Sequence, residues 1–573
     1  MTHVRRKRHQ WARSWGLAVA AVAALLAVGL VPSSREFAIK GVVLDELGPV
    51  SGATVRIQAT SIETVTDENG QFALAPDAMT PVTVSAWKHG YYSSRAVEIA
   101  APTEGVELTL HRYQTEDNPA YVWALPFDED PAVATCSECK AHIVEPWMEN
   151  AHAGAALNPR FLSMYLGTDL LGNQSPETEY GYSKDYGRFP LRPTVDETYY
   201  GPGYKLDFPY TAGNCGACHI PGAALDDPYG VDPTAVDGAD RFGVHCDYCH
   251  KVADVLLDPE TSMPYQNMPG VLSSDVRRSF ENEDGELELL FFGPFDDPNV
   301  DEGDTYLPLI QESAFCAPCH FGVFWDTVVY NSYGEWLDSA YSDPEDGATC
   351  QECHMPSPTT MIDGEPLTNV APGRGGIDRD PETLRAHSQL GASDVEFLQN
   401  AVTMQVETRT SDGQMIVDVA ITNDQTGHHV PTDSPLRHLI LLVEVVDASG
   451  KQLVLSDGPI LPAWCGIGSL AEGNYGRLPG VAYAKILEEL WTEISPSGAY
   501  WNPTRIVSDN RIAALDTATS SYTFAAPSDG NVQVGVTLLY RRAFKELMTQ
   551  KGWNVPDILM EEYAETVSVD SGI

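Results

Sequence analysis

Ten of the eleven cysteines in this chain fall into five Cys-x-x-Cys pairs between Cys136 and His354. Four pairs are followed at once by histidine: Cys215 and Cys218 with His219, Cys246 and Cys249 with His250, Cys316 and Cys319 with His320, Cys350 and Cys353 with His354. Two thiols at that spacing reach the two vinyl groups along one edge of a porphyrin, and the residue after them turns inward to ligate the iron. This is the attachment signature of c-type haem. Tetrahedral zinc is the competing chemistry, because paired Cys-x-x-Cys units also build zinc ribbons. Zinc has no need of a histidine directly after every pair, so the haem reading takes precedence.

The first pair departs from the rule. Cys136 and Cys139 are followed by Lys140, so the fifth site would offer the iron an amine. An amine ligates only when neutral, which requires burial or the metal's own charge to lower its pKa. Together with this CxxCK, the stretches WMENAH (147–152), GVHCDYCHKV (243–252), TCQECHMP (349–356) and GHHVPTDSPLR (427–437) resemble the multihaem cytochromes of the cytochrome c nitrite reductase/hydroxylamine oxidoreductase-like superfamily, over about residues 115–573. The resemblance implies five covalent haem c groups and a second axial ligand for each bis-ligated iron. By the same resemblance, His152, His245, His387 and His428 are the expected second ligands, ahead of His142, His429 and His438. In that superfamily the CxxCK haem is the catalytic one. His152 either closes the face opposite Lys140 or reaches a neighbouring haem. The expectation is that a histidine closes that face.

Three regions must position these residues, behind an N-terminal leader. Residues 1–34 carry Arg5, Arg6, Lys7, Arg8 and Arg13 before an apolar run from Trp15 to Val31, which reads as a signal peptide or an uncleaved membrane anchor. Either way the body is exported, to a periplasmic, cell-surface or extracellular location. Residues 35–112 show short alternating runs (Phe37–Leu44, Thr54–Gln58, Gln71–Leu74, Val82–Trp87, Val106–Leu110) with a turn at Asp67–Gly70, predicting an all-β sandwich. The pattern GVVLDELGPVSGATVRI followed by TDENGQFAL resembles the carboxypeptidase regulatory-like domain, a transthyretin-like module. The expectation is that it folds by itself and carries no redox function.

Residues 113–400 hold the five pairs, and successive first cysteines are separated by long and short gaps in alternation. Much of the volume there would be porphyrin, so short helices and long loops are expected. Residues 401–573 are predicted to form a second sandwich-like β domain. Its expected parts are hairpins at Thr403–Thr422 and Leu439–Leu455, strands at Tyr522–Ala525 and Val532–Tyr540, and a helix over Arg541–Gln550. The fold class is therefore multidomain, with β domains flanking a haem-packed helix and loop region.

The chain has 573 residues, 81 acidic and 35 basic, for a formal charge of −46. Such a surface excludes nucleic acid as a partner. It suits solubility, or docking of cationic redox partners. The reading is an exported pentahaem cytochrome that transfers electrons to redox proteins or extracellular acceptors. Two alternatives stay open: a nitrite, hydroxylamine or sulfur-oxyanion reductase acting at the Lys140 haem, and a filament-forming structural cytochrome. Membrane anchoring and homo-oligomerisation are left open by the sequence. Against the reductase, residues after Cys249-His250 (Lys251-Val252-Ala253) and after Cys319-His320 (Phe321-Gly322-Val323) lack the substrate-site tyrosine that the resemblance would place there.

Overall fold

The computed structural model describes residues 38–569, apart from 77–80, 186, 192–197, 283, 299–302, 360, 363, 373–375 and 528–529. The leader at 1–34 and Phe37 lie outside the described residues. Among the described residues no helix is long and apolar enough to cross a membrane. The chain is mostly β, with a β domain at its N-terminus.

That domain is two four-stranded sheets face to face. One is built around Ile39–Asp45, which runs antiparallel to Gln71–Leu74 and parallel to Thr103–Thr109. The other has the order Glu63–Val65, Thr54–Ile57, Val82–Trp87, Ser94–Ile99. Burial alternates residue by residue along Thr54–Ile57 and Gln71–Leu74, as a half-buried strand requires. Ile39, Val43, Val55, Phe72, Val84 and Leu108 meet in the core. The Asp67 carboxylate accepts hydrogen bonds from the N–H groups of Asn69 and Gln71, and Gly70 supplies the left-handed φ of +70° that this turn needs. Ser94–Ile99 escaped the sequence reading because its burial does not alternate.

The module expected to fold by itself has its own core and also packs on the central region. Arg56 donates two hydrogen bonds to the Asp296 carboxylate (2.9 and 3.0 Å), Trp87 Nε1 donates to Thr305 Oγ1 (3.2 Å), and Tyr92 packs with Leu290, Phe292 and Leu307.

At the other end, a four-stranded sheet (Thr403–Ser411, Gln414–Thr422, Thr517–Ala525, Leu455–Asp457) faces a five-stranded one (Thr504–Asp509, Gly480–Glu489, His438–Asp447, Gly530–Arg541, Ile558–Val569). The first predicted hairpin is present, and its two turn residues Asp412 and Gly413 both have positive φ (51° and 74°), the pattern of a type I′ turn. The second is present at its turn, where Val446 bridges Gln452 and the Leu453 N–H donates to the Val445 carbonyl (2.8 Å), and differs from the expectation only beyond it. His438–Asp447 pairs with Gly480–Glu489 and Gly530–Arg541, while Leu455–Asp457 crosses to the other sheet and pairs with Thr517–Ala525. A short polar turn signal cannot say which sheet receives the returning strand. The closing helix is shorter than expected, Lys545–Lys551, and Gly552 ends it at φ +66°.

Between the two β domains, helices are short and sheets are two-stranded ribbons. The longest helix, α1 (Ser137–Met148), has 12 residues, and Lys140 inside it departs from helical geometry; α2 (Pro159–Leu166) has 8. Apolar packing in this region is split into small clusters, such as Val144, Trp147 and Ala153.

Candidate haem-binding site

Each Cys-x-x-Cys pair sits on a turn of helix. The backbone N–H of the residue after the second cysteine donates to the carbonyl of the first, from Lys140 to Cys136 (3.0 Å), His219 to Cys215 (3.0 Å), His250 to Cys246 (3.0 Å) and His320 to Cys316 (3.2 Å), and Cys350–His354 is α-helical throughout. The fifth turn, Cys350–His354, starts with a capping box in which the Thr349 hydroxyl accepts from the Glu352 N–H and the Glu352 carboxylate accepts from the Thr349 N–H. Helical positions three apart share a side, so each turn presents its two thiols together. The spacer residues Ala217, Tyr248, Ala317 and Gln351 are buried, whereas nine of the ten paired cysteines are half-buried and Cys353 is exposed. The back of those four turns is packed and the sulfurs face accessible surface, while in the first turn Ser137 is half-buried and Glu138 exposed.

The five turns adjoin one another through their thiols. Cys136 meets Cys246, Cys218 meets Cys319, and Cys316 meets Cys350. Cys249 lies in the electrostatic range of Cys319. The motifs therefore form one connected array in space, although they span more than 200 residues of sequence.

Three histidines that follow a cysteine pair each face a second histidine from a distant segment. Ring centroids are 6.2 Å apart for His320 and His152, 6.3 Å for His250 and His387, and 6.1 Å for His354 and His428. Two imidazoles bound through Nε2 on opposite sides of one metal, with bonds of about 2 Å and ring centres about 1.1 Å behind the nitrogens, have centroids about 6 Å apart. Among the described residues no three His, Cys, Asp or Glu side chains converge as a metal centre. A pair of imidazoles at this separation suits a metal that brings its own further ligands, as haem iron does.

The other ring nitrogen decides which atom is left for the metal. His250 Nδ1 lies 2.6 Å from the Phe292 carbonyl, His354 Nδ1 2.5 Å from that of Leu390, His219 Nδ1 3.3 Å from that of Ala155, and His428 Nδ1 3.0 Å from that of His429. His387 Nδ1 is 3.2 Å from the Arg385 carbonyl. In each, Nδ1 carries the proton and Nε2 is free to bind. His320 differs, since its Nδ1 is 3.0 Å from Asp433 Oδ2. Burial alone would keep that ring neutral, but the Asp433 carboxylate pushes the His320 pKa up to about 9. Burial instead pulls His250 down to about 3 and His354, His387 and His152 down to about 4.

One residue that the sequence reading passed over ties two of these segments together. Asn150 accepts from the His152 N–H (2.8 Å) through its side-chain oxygen and donates through Nδ2 to the His387 carbonyl (2.7 Å) and to Gln389 (2.9 Å). Its place two residues before His152 in WMENAH was the available signal. Asp433 lay in sight within GHHVPTDSPLR, but 113 residues from His320 nothing linked the two.

Four of the expected ligands, His245, His152, Lys140 and His219, stand outside these assignments or complete them. His245 meets no other imidazole: its Nδ1 caps the helix Cys246–Cys249 by accepting from the Tyr248 N–H (3.1 Å), and its buried ring stands edge-on to Trp123 at 5.2 Å. His152 is opposite His320, the second of the two placements the sequence left open. Lys140 Nζ lies 4.7 Å above the Phe291 ring, which itself stacks on His250 at 4.1 Å. Among the described residues His219 meets no second histidine, and it stacks on Phe161 at 4.0 Å with planes 6° apart.

Among solved structures, the chain is similar to a penta-heme cytochrome c552 from Thermochromatium tepidum, at 18% identity, over 75% of this chain and 97% of that one, with a TM-score of 0.49. It is also similar to a chain of a type II Cohesin-X-Dockerin complex from Acetivibrio cellulolyticus, at 25% identity over 13% of this chain and 51% of that one, with a TM-score of 0.11. No curated protein matches it. At the N-terminus, residues 38–111 match the model of the carboxypeptidase regulatory-like domain.

Proposed function

We propose that this chain is an exported c-type cytochrome with five covalent haems that carries electrons to redox proteins or extracellular acceptors. The observation that carries this reading is the set of three histidine pairs with centroids 6.1–6.3 Å apart, each containing the histidine that directly follows a Cys-x-x-Cys pair. Haem iron supplies one-electron exchange when bound. The chain's own residues do the rest. Ten thiols would tether the haems, the paired imidazoles would ligate their irons, and the Nδ1 partners would fix which nitrogen binds and how basic it is. The adjoining thiols put neighbouring attachment points side by side, which favours short electron-transfer steps. Export is read from the basic and apolar leader, and the acidic surface suits cationic partners.

A specific observation favours a second reading, a reductase acting at the Lys140 haem. Among the described residues no imidazole is paired with Lys140 as His152 is with His320, so catalytic access to one face is not blocked by a histidine.

Mass measurement of the mature chain tests the primary reading. Five haem increments over the apo chain are expected. Four increments would remove the Lys140 site, and none would leave the cysteine turns to other chemistry.

A further inference from the structure

In a chain with more than twice as many acidic as basic residues, arginines readily meet a carboxylate; Arg56, Arg278, Arg379, Arg505, Arg511 and Arg541 all do. Arg160, Arg437 and Arg542 do not: among the described residues none has a carboxylate oxygen within ion-pairing distance. Arg437 donates only to the Thr432 carbonyl (3.3 Å), and Arg542 only to the Ala392 carbonyl (2.8 Å). Asp433, four residues before Arg437, is already held by His320 and the Ser332 N–H.

The fold brings these three together. His438 pairs with Arg541 and Leu439 with Tyr540 in adjacent antiparallel strands, so Arg437 and Arg542 extend the same ladder on the face that carries Leu439 and Tyr540. On helix α2, Met164 packs with Leu436, Ala543 and Phe544, and Arg160 lies one turn earlier on that same side. Burial, then the proximity of Arg542 and Arg437, lowers the Arg160 pKa. The Tyr540 hydroxyl among them is buried and has no hydrogen-bond partner. Beyond it, Tyr330 and Tyr500 stand edge to face at 5.5 Å, in the electrostatic range of both Arg437 and Cys215.

Helix α2 also links this cluster to His219. Phe161, the residue after Arg160, is the ring stacked on the His219 imidazole, and His219 is the motif histidine with no second histidine. Lys140, the other unpaired motif residue, has the buried acid Asp304 in its field, an unfavourable neighbour for an anion.

We propose that Arg160, Arg437 and Arg542, with the hydroxyl of Tyr540, form a binding site for a small inorganic anion beside the open face of the His219 haem. Guanidinium groups supply charge-assisted, planar donors suited to an oxyanion or a linear pseudohalide. The inference rests on the five-haem reading of the preceding section.

The test uses the full, haem-loaded chain in its oxidised form, with sodium azide as probe. Haem content, measured first, decides the five-haem reading by itself. Azide is then titrated against the visible and electron paramagnetic resonance spectra. Expected is a high-spin ferric fraction that turns low-spin on azide, with binding at least tenfold weaker in the Arg437→Gln/Arg542→Gln protein at unchanged haem content and spin state. Arg160→Gln, on a different element, should weaken it in the same direction and guards against misfolding of the double variant. Full haem content with no azide response in the unsubstituted protein overturns the proposal. So does equal azide affinity in all variants, which would leave the arginines to the haem propionates or assign the response to the Lys140 haem.

Discussion

The two β domains and the region between them solve the burial problem in different ways. In the C-terminal sandwich, Val417, Val419, Ile421, Leu439, Leu441, Val536 and Leu538 are all at most 2% exposed and share one core. At about 1.5–3 kcal/mol for each fully buried aliphatic side chain, such a core sustains itself. The central region, residues 113–400 against 401–573, is longer but has only scattered clusters, with its thiols at partly accessible positions. The difference teaches that the first fold is encoded by alternation of apolar residues, and the second by the positions of groups that tether and ligate.

Blocking haem attachment should break this comparison most severely. With all ten paired cysteines changed to serine, the central region is expected to become protease-sensitive throughout, while the C-terminal sandwich keeps a cooperative melt. Limited proteolysis followed by mass spectrometry checks this. A central region as resistant as in the haem-loaded chain would show that its protein core suffices.

The next effect is smaller and local. His387→Ala and His428→Ala should each remove one of three bis-imidazole signals and leave the other two. His245→Ala should leave all three, because His245 caps a helix. Its cost is instead the loss of an N-cap, about 1 kcal/mol.

A finer contrast lies between motif histidines. His320 leans on a carboxylate, whereas His250 and His354 lean on carbonyls. A carboxylate partner makes the imidazole a stronger donor and favours ferric iron. Asp433→Asn should therefore raise the potential of that one haem by about 60 mV, equivalent to a tenfold change in the ferric/ferrous ratio. A redox titration with unchanged midpoints would contradict the assignment.

The N-terminal module offers a related test. Tyr92 and Tyr113 pack on Phe292, whose carbonyl receives His250 Nδ1. Deleting residues 38–111 should shift the midpoint of the His250 haem and leave the other four unchanged.

Acid should loosen the seam between the centre and the C-terminal sandwich. Burial raises the Glu335 pKa, but His429, with a ring nitrogen 3.2 Å away though not aligned as a hydrogen bond, and Arg511, whose Nη1 donates at 2.7 Å, hold it down to about 2. The folded value lies below the unfolded one, so the stabilisation is full above about pH 4.5 and is lost as pH falls toward 2. It amounts to about 3 kcal/mol at most. Glu335→Gln should destabilise the protein at pH 7 and flatten that acid limb, as read from denaturation midpoints.

Much of this was legible in the sequence because it is local. The Cys-x-x-Cys pairs, the Asp67–Gly70 turn and the Asp412-Gly413 hairpin each declare themselves within a few residues. His152, His387 and His428 stood out by their surroundings, though not which motif histidine each would face. The Asp433–His320 contact, the Arg160–Arg437–Arg542 cluster and the docking of the N-terminal module were not legible. They join side chains more than 100 residues apart, where no periodicity or turn chemistry constrains the pairing. The second hairpin was legible at its turn, but the crossing of Leu455–Asp457 to the other sheet was not, since a strand end does not state which sheet it will join.

The most direct test is electron paramagnetic resonance of the oxidised, haem-loaded chain, with spins counted per protein. Imidazole planes in the His250–His387 and His354–His428 pairs are 22° and 17° apart, and those of His320–His152 are 62° apart. The account predicts two rhombic low-spin signals from the near-parallel pairs, one large-gmax signal from the crossed pair, and two irons outside the bis-imidazole class. Five bis-imidazole irons, or fewer than three, would contradict it.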